Sequence, residues 1–151
     1  THAAAHGRTE FPVCLALMSV VKDAERIGDY AKNIFDLAFI EAKILESSHE
    51  DLVSIKDTTS RLLAKSRNVY DTQDAEGARA FIGECESLQG HCEEKLRALC
   101  LIEGENAAAT ALIYRYIKRI LAHSMNIITS VVMPLDLLDY YDEDKGRETN
   151  V

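Results

Sequence analysis

The sequence predicts an all-α protein, an up-down antiparallel four-helix bundle, and three observations carry that expectation. Seven Gly, two Pro and no Trp in 151 residues, with Ala, Leu, Ile, Glu and Lys plentiful, favour helix over strand. No stretch alternates apolar and polar residues as a half-buried strand does. Apolar residues instead recur at spacings of three and four along four stretches joined by short polar breaks, which is how long helices packed as antiparallel neighbours read. A chain of this length makes one domain and buries a core without disulfides or metal.

The first helix is expected to open with Thr9 as cap and Pro12 in its first turn, leaving residues 1–10 as a flexible N-terminal segment. Val13, Leu17, Val20, Ala24, Ile27, Ala31, Ile34 and Ala38 then form a seam on a helix reaching about Ser47. A flanking stripe of Cys14, Val21, Gly28, Phe35 and Ala42 widens the apolar face, so this helix calls for neighbours on two sides. The capping residues of Ser47 to Asp51 break the pattern, and a second helix follows with Leu52, Ile55, Thr59, Leu62, Ser66 and Val69 inward. A third, from about Asp74 to Ile102, turns Ala78, Phe81, Cys85, Leu88, Cys92 and Leu99 inward and carboxylates outward. The fourth runs from about Glu105 to Met133 along Ile113, Ile117, Ile120, Ser124, Ile127 and Val131 until Pro134 stops it. The bundle therefore spans 11–134, and 135–151 is an acidic C-terminal tail whose first half, Leu135 to Tyr141, reads as a frayed helix end or a docking segment.

The fourth seam is the first seam moved by 93 residues, from Val20 and Ile113 through Ala38 and Val131 without a gap. Ala16 and Ala109, Arg26 and Arg119, Ile27 and Ile120, Asn33 and Asn126, and Ile34 and Ile127 are identical pairs, which indicates an internal repeat. The chemistry is not repeated with the frame. Glu25 and Asp29 stand four apart in ERIGDYAKNI and share one helix face at metal-ligand spacing, whereas the echo KRILAHSMNI has Lys118 and Ala122 in their places, with His123 beside the gap.

Composition excludes several classes. A formal charge of −8 with scattered Lys and Arg argues against a nucleic-acid surface, which needs a basic stripe to displace counterions. The longest apolar run, Val13 to Met18, is too short to span a bilayer and the opening residues lack a signal peptide's apolar core, so a soluble, cytoplasmic protein is expected. Cys14, Cys85, Cys92 and Cys100 form no CxxC pair and read as small buried thiols in a reducing compartment. No nucleophile has a base and an orienting partner, and no Gly-rich phosphate loop exists, so the chain is expected not to be an enzyme. Only Glu46 with His49 has the Glu-x-x-His spacing of a di-iron bundle, and His91, among Glu84, Glu86, Glu93 and Glu94, reads as a solvated histidine.

ERIGDYAKNI and the spacing of its echo resemble the PhoU family of phosphate-uptake regulators. Glu25, Arg26, Ile27, Gly28, Asp29, Ala31, Asn33 and Ile34 match the family signature Glu-Arg-Ile-Gly-Asp-x-Ala-x-Asn-Ile position for position. The resemblance implies two three-helix repeats, of which this chain would hold the last helix of the first and the whole of the second. Two upstream helices would then be missing, leaving Val21, Phe35 and Ala42 without partners. It implies iron or zinc held by Glu25 and Asp29, a single site because the echo has lost both acids. It also implies a non-enzymatic regulator in contact with phosphate transporter components or a sensor kinase. Membrane contact would come only through a transporter partner, and a homodimer is expected from the exposed strip. The face carrying Glu25, Arg26, Asp29 and Asp36 is the expected partner-binding surface. Beside this stand a cytosolic PhoU-like domain of a sodium/phosphate cotransporter and a metal-binding helical bundle. From spacing alone Glu25 and Asp29, near Lys22, Arg26 and Asp36, read as an ion-paired solvated face, and it is the signature that brings in a metal role.

Overall fold

The computed structural model describes residues 3–40, 49–102, 104 and 106–132, with side chains over 14–39, 50–102, 104 and 106–129. The acidic tail, the stop at Pro134, Glu46 and Ala42 lie outside the described residues. Those residues form four helices and no strand: α1 (Ala3–Ile40), α2 (His49–Thr72), α3 (Ala75–Leu99) and α4 (Ala107–Val132).

The boundaries follow local chemistry. Asp74 caps α3, its carboxylate accepting from the Glu76 amide at 3.1 Å, and the same carboxylate lies so close over Gly77 that an added Cβ would meet it at 2.4 Å. The turn before it passes through Gln73 at φ 54°, a left-handed conformation that a tight reversal between antiparallel helices needs. At the other end of the chain the boundary differs from the expectation. Helix α1 begins at Ala3, so Thr9 is inside it rather than capping it, and Pro12 is past the first turn.

Helices α2, α3 and α4 build the core. Leu52, Ile55, Leu62 and Val69 of α2 meet Ala78, Phe81, Cys85 and Cys92 of α3 and Ile113, Tyr114, Ile117, Leu121 and Ile128 of α4. These are largely the seam residues that the spacing selects. Polar seam positions are satisfied locally, Thr59 donating to the Ile55 carbonyl and Ser124 to that of Ile120, each at 2.8 Å.

The four helices form a helical bundle, with Ile34 and Leu37 of α1 packed against the core, but α1 sits at its side. It packs chiefly along α4 and makes few contacts with α2 or α3. Asp23 meets His123 while Tyr30 meets Tyr116, so rising numbers on α1 face falling numbers on α4 and the two are antiparallel. The seam expected on α1 is rotated: Ala24 and Ala31 are exposed, Ile27 and Ile34 are half-buried, and the most enclosed position is Asp23, at 4% exposure. Leu15, Leu17, Met18, Val21, Phe35 and Phe39 are exposed. Among the described residues α1 has one close neighbour instead of two, and none of them covers its second stripe.

Candidate functional site

The signature block and its echo lie against each other where α1 crosses α4. Tyr30 and His123 occupy the same place in the two copies, and their rings stack at 5.8 Å with 19° between planes. Tyr116, the repeat counterpart of Asp23, packs on the other side of Tyr30 at 5.7 Å. Around these rings runs a polar chain. His123 Nδ1 is 2.7 Å from Asp23 Oδ1, Arg119 Nη2 is 3.3 Å from His123 Nε2, and Asn126 Nδ2 reaches Asp23 Oδ1 at 3.5 Å.

The direction of these bonds is fixed by the donor inventory. A guanidinium only donates, so Nε2 of His123 accepts from Arg119, and the imidazole hydrogen sits on Nδ1 and is given to the Asp23 carboxylate. Arg119 also lies 5.9 Å from the Tyr30 ring centroid, where a cation is attracted by the ring's negative face. An Asp-His pair can orient a general base, but here the lone pair on Nε2 that would take a proton is already engaged by Arg119. The arrangement fastens α1 to α4: two of its members, Arg119 and Asn126, are repeat identities, while Asp23 is unique to the first copy. Among the described residues no buried side-chain polar atom lacks a hydrogen-bond partner.

The residues singled out from sequence fall elsewhere on α1. Glu25, Arg26 and Asp29 are exposed, and Asp36 is half-buried and bonded by Lys32 at 2.7 Å. The carboxylate of Asp36 holds the Lys32 ammonium above its usual range, with Asp29 adding to the effect. Neither Glu25 nor Asp29 joins the Asp23–His123 chain, and among the described residues no three His, Cys, Asp or Glu side chains come together as a metal-binding group. Lys118, which replaces Glu25 in the echo, reaches across to Glu93 of α3, and that ammonium holds the Glu93 carboxyl below the ordinary carboxylate range.

A second polar cluster ties α2 to α3 and α4. Asp51 Oδ2 accepts from the Tyr114 hydroxyl, Asp51 Oδ1 lies 3.1 Å from His91 Nε2, and Lys95 stands 3.5 Å away. Burial pushes the Asp51 carboxyl up, yet the bonds from Tyr114 and His91 and the charge of Lys95 outweigh it and hold the group below its usual range. Burial and the same bond push the Tyr114 hydroxyl up. His91 is therefore a half-buried link between helices and not the solvated histidine that its glutamate neighbours suggest. Cys85 and Cys92 are buried as expected, but Cys14 and Cys100 are exposed, and all four thiols are unpaired.

Asp23 is inconspicuous in the sequence, because an acid between Lys22 and Ala24 reads as surface and its partner is 100 residues away. The one available signal was the position itself, since Asp23 shares a face with Ile27, Tyr30 and Ile34. No described helix is long and apolar enough to cross a membrane. Compared with protein-family models, curated proteins and solved structures, the chain finds no match.

Proposed function

We propose that this chain is a PhoU-like, non-enzymatic regulator of phosphate transport or phosphate signalling that works in the cytoplasm by contact with other proteins. One observation carries the reading. The block Glu25 to Ile34 matches the PhoU signature position for position, and in the fold it is the part of α1 that packs on its own degenerate copy in α4. Its inward residues, Ile27, Tyr30 and Ile34, serve that packing, while Glu25, Arg26 and Asp29 remain in solvent, where a partner or a cation can reach them. The phosphate assignment itself rests on the signature alone.

The partner is a cytoplasmic part of a phosphate transporter or a sensor kinase, and the acidic rim of α1, Glu25, Asp29 and Asp36 with Arg26, is the contact surface. Charge reversal at Glu25 and Asp29 together is expected to weaken capture of such a partner at least tenfold, by loss of complementary charge, with helicity by circular dichroism unchanged. Metal analysis of protein purified without chelator gives the second readout: iron or zinc lost together with partner binding identifies the pair as ligands, and partner binding lost alone identifies a docking rim. Unchanged capture and unchanged metal content in the reversed variant refute the reading.

A further inference from the structure

Six of the nine large hydrophobic residues exposed among the described residues lie on α1, and four of them, Leu17, Val21, Phe35 and Phe39, share the face turned away from α4. At 100° per residue, Leu17, Val21, Gly28, Phe35 and Phe39 fall within a narrow line along the helix, opposite the line of Asp23, Tyr30 and Leu37 that meets α4. Phe35 and Phe39 are 69% and 81% exposed and stack on each other at 6.3 Å, an aromatic pair held out in water. The repeat shows what kind of surface this is. Moved by 93 residues, Leu17, Val21 and Phe35 become Thr110, Tyr114 and Ile128 of α4, which are 2%, 3% and 0% exposed beneath neighbouring helices. The face on α1 is a helix-packing face on which none of the described helices lies.

We propose that a second copy of this chain covers that face, α1 against α1, antiparallel and crossing at Gly28 on a twofold axis. The proposal does not depend on the phosphate reading. Two features of the face select a second copy over another helix. The stripe is symmetric about Gly28: Val21 and Phe35 stand seven residues to either side and Leu17 and Phe39 eleven, so an antiparallel pair sets each residue opposite its large counterpart. At the crossing Gly28 has nothing within 4 Å of where a Cβ would sit, and exposed Ala24 and Ala31 flank it, which lets two backbones approach. The charges are self-complementary as well. Glu25 lies three residues before the axis and Lys32 four after it on the same flank, and Lys22 and Asp36 repeat the pattern farther out. In an antiparallel pair like flanks face each other, so Glu25 of the second copy approaches Lys32, which Asp36 holds from within its own chain, and the pairing occurs twice by symmetry. A parallel pair would set opposite flanks together, placing Glu25 and Lys32 against the uncharged flank of Ala24 and Ala31, and would make no such ion pair.

Sedimentation velocity on the full chain over a concentration series tests the association, and a reversible monomer–dimer equilibrium is expected. Phe35→Glu should weaken it at least 30-fold, because each copy loses an apolar anchor and brings a charge into the interface. Since Phe35 is exposed in the single chain, helicity should not change, and melting should not change at concentrations where the parent chain is monomeric. Glu25→Lys and Lys32→Glu should each weaken the dimer about fivefold, and the double variant E25K/K32E should restore it, because both symmetric pairs are then swapped together. The register is read by oxidation: Cys14 should form no intermolecular disulfide, while Gly28→Cys in a Cys14→Ser/Cys100→Ser background should cross-link. A chain monomeric at every concentration reached, a dimer indifferent to Phe35→Glu, a double charge variant no better than either single one, or a Cys14–Cys14 bridge would each overturn the proposal.

Discussion

Removing the Asp23 carboxylate tests what holds α1 in place. In Asp23→Ala the Nδ1 hydrogen of His123 loses its acceptor inside a contact where the two side chains are 6% and 10% exposed. A hydrogen bond to a charged group contributes about 1.5–3 kcal/mol, and a buried donor left unpaired costs about 1–3 kcal/mol, so a loss of about 2–3 kcal/mol is expected. His123→Ala should cost about as much, since it leaves the Asp23 carboxylate with only the 3.5 Å bond from Asn126 and removes the ring stacked on Tyr30. The double variant should cost less than the sum, with a coupling of about 1.5–3 kcal/mol, because the second change removes a group the first has already orphaned. Urea unfolding followed by circular dichroism, with all four corners of the cycle at one pH, measures it. A coupling below about 0.5 kcal/mol would mean that the two groups do not interact in solution as they do in the fold, and the account of α1 docking would fail.

Three further outcomes follow from the core and the second polar cluster. Burial pushes the Cys85 thiol up to about 12 and that of Cys92 up to about 11, so neither is thiolate near neutral pH. A thiol reagent at mild pH should therefore modify Cys14 and Cys100 quickly and the other two only after denaturant is added, as read by mass spectrometry. Asp51 is held below its ordinary range in the folded chain, so the unfolded chain takes up that proton first as pH falls. Its contribution is whole above the usual carboxylate range of about 4 and drains away below it; Asp51→Asn should thus be less stable than the parent near neutral pH, and the gap should narrow in acid. A gap that is constant with pH would refute this. Phe81→Ala, at a side chain with 0% exposure, should lower stability by about 3–5 kcal/mol in the same urea assay.

The α2–α4 core was legible in the sequence because each of those helices has one apolar face and one polar face, and periodicity then fixes which residues turn inward. Leu52, Ile55, Leu62, Phe81, Cys85, Ile113 and Ile117 are read correctly on spacing alone. Helix α1 defeats the same reasoning. It carries apolar residues on nearly opposite sides, and Ala24 and Ala31 fit a seam as easily as a surface, so the pattern could not say which side meets α4. The deciding groups are polar: Asp23 is enclosed because His123 and Asn126 satisfy it, and a partner across so long a sequence separation leaves no local trace. His91 was misread for the same reason, since its glutamate neighbours on α3 are visible in the sequence and Asp51 on α2 is not. The signature acids were legible as a pair on one face, and the fold leaves them in solvent on that face.

The position of the Asp23–His123 tether sets an order of events during synthesis. Its two halves are 100 residues apart, whereas α2, α3 and α4 are joined in sequence by short turns and close onto one another locally. A ribosome adding about 5–20 residues per second takes roughly 5–20 s to supply His123 after Asp23 has emerged. Through that interval α1 has apolar residues on two sides and no α4 to pack against. When α4 arrives it covers one of those sides, and Leu17, Val21, Phe35 and Phe39 stay exposed along the other, a cost in water that the fold carries from synthesis into its finished state.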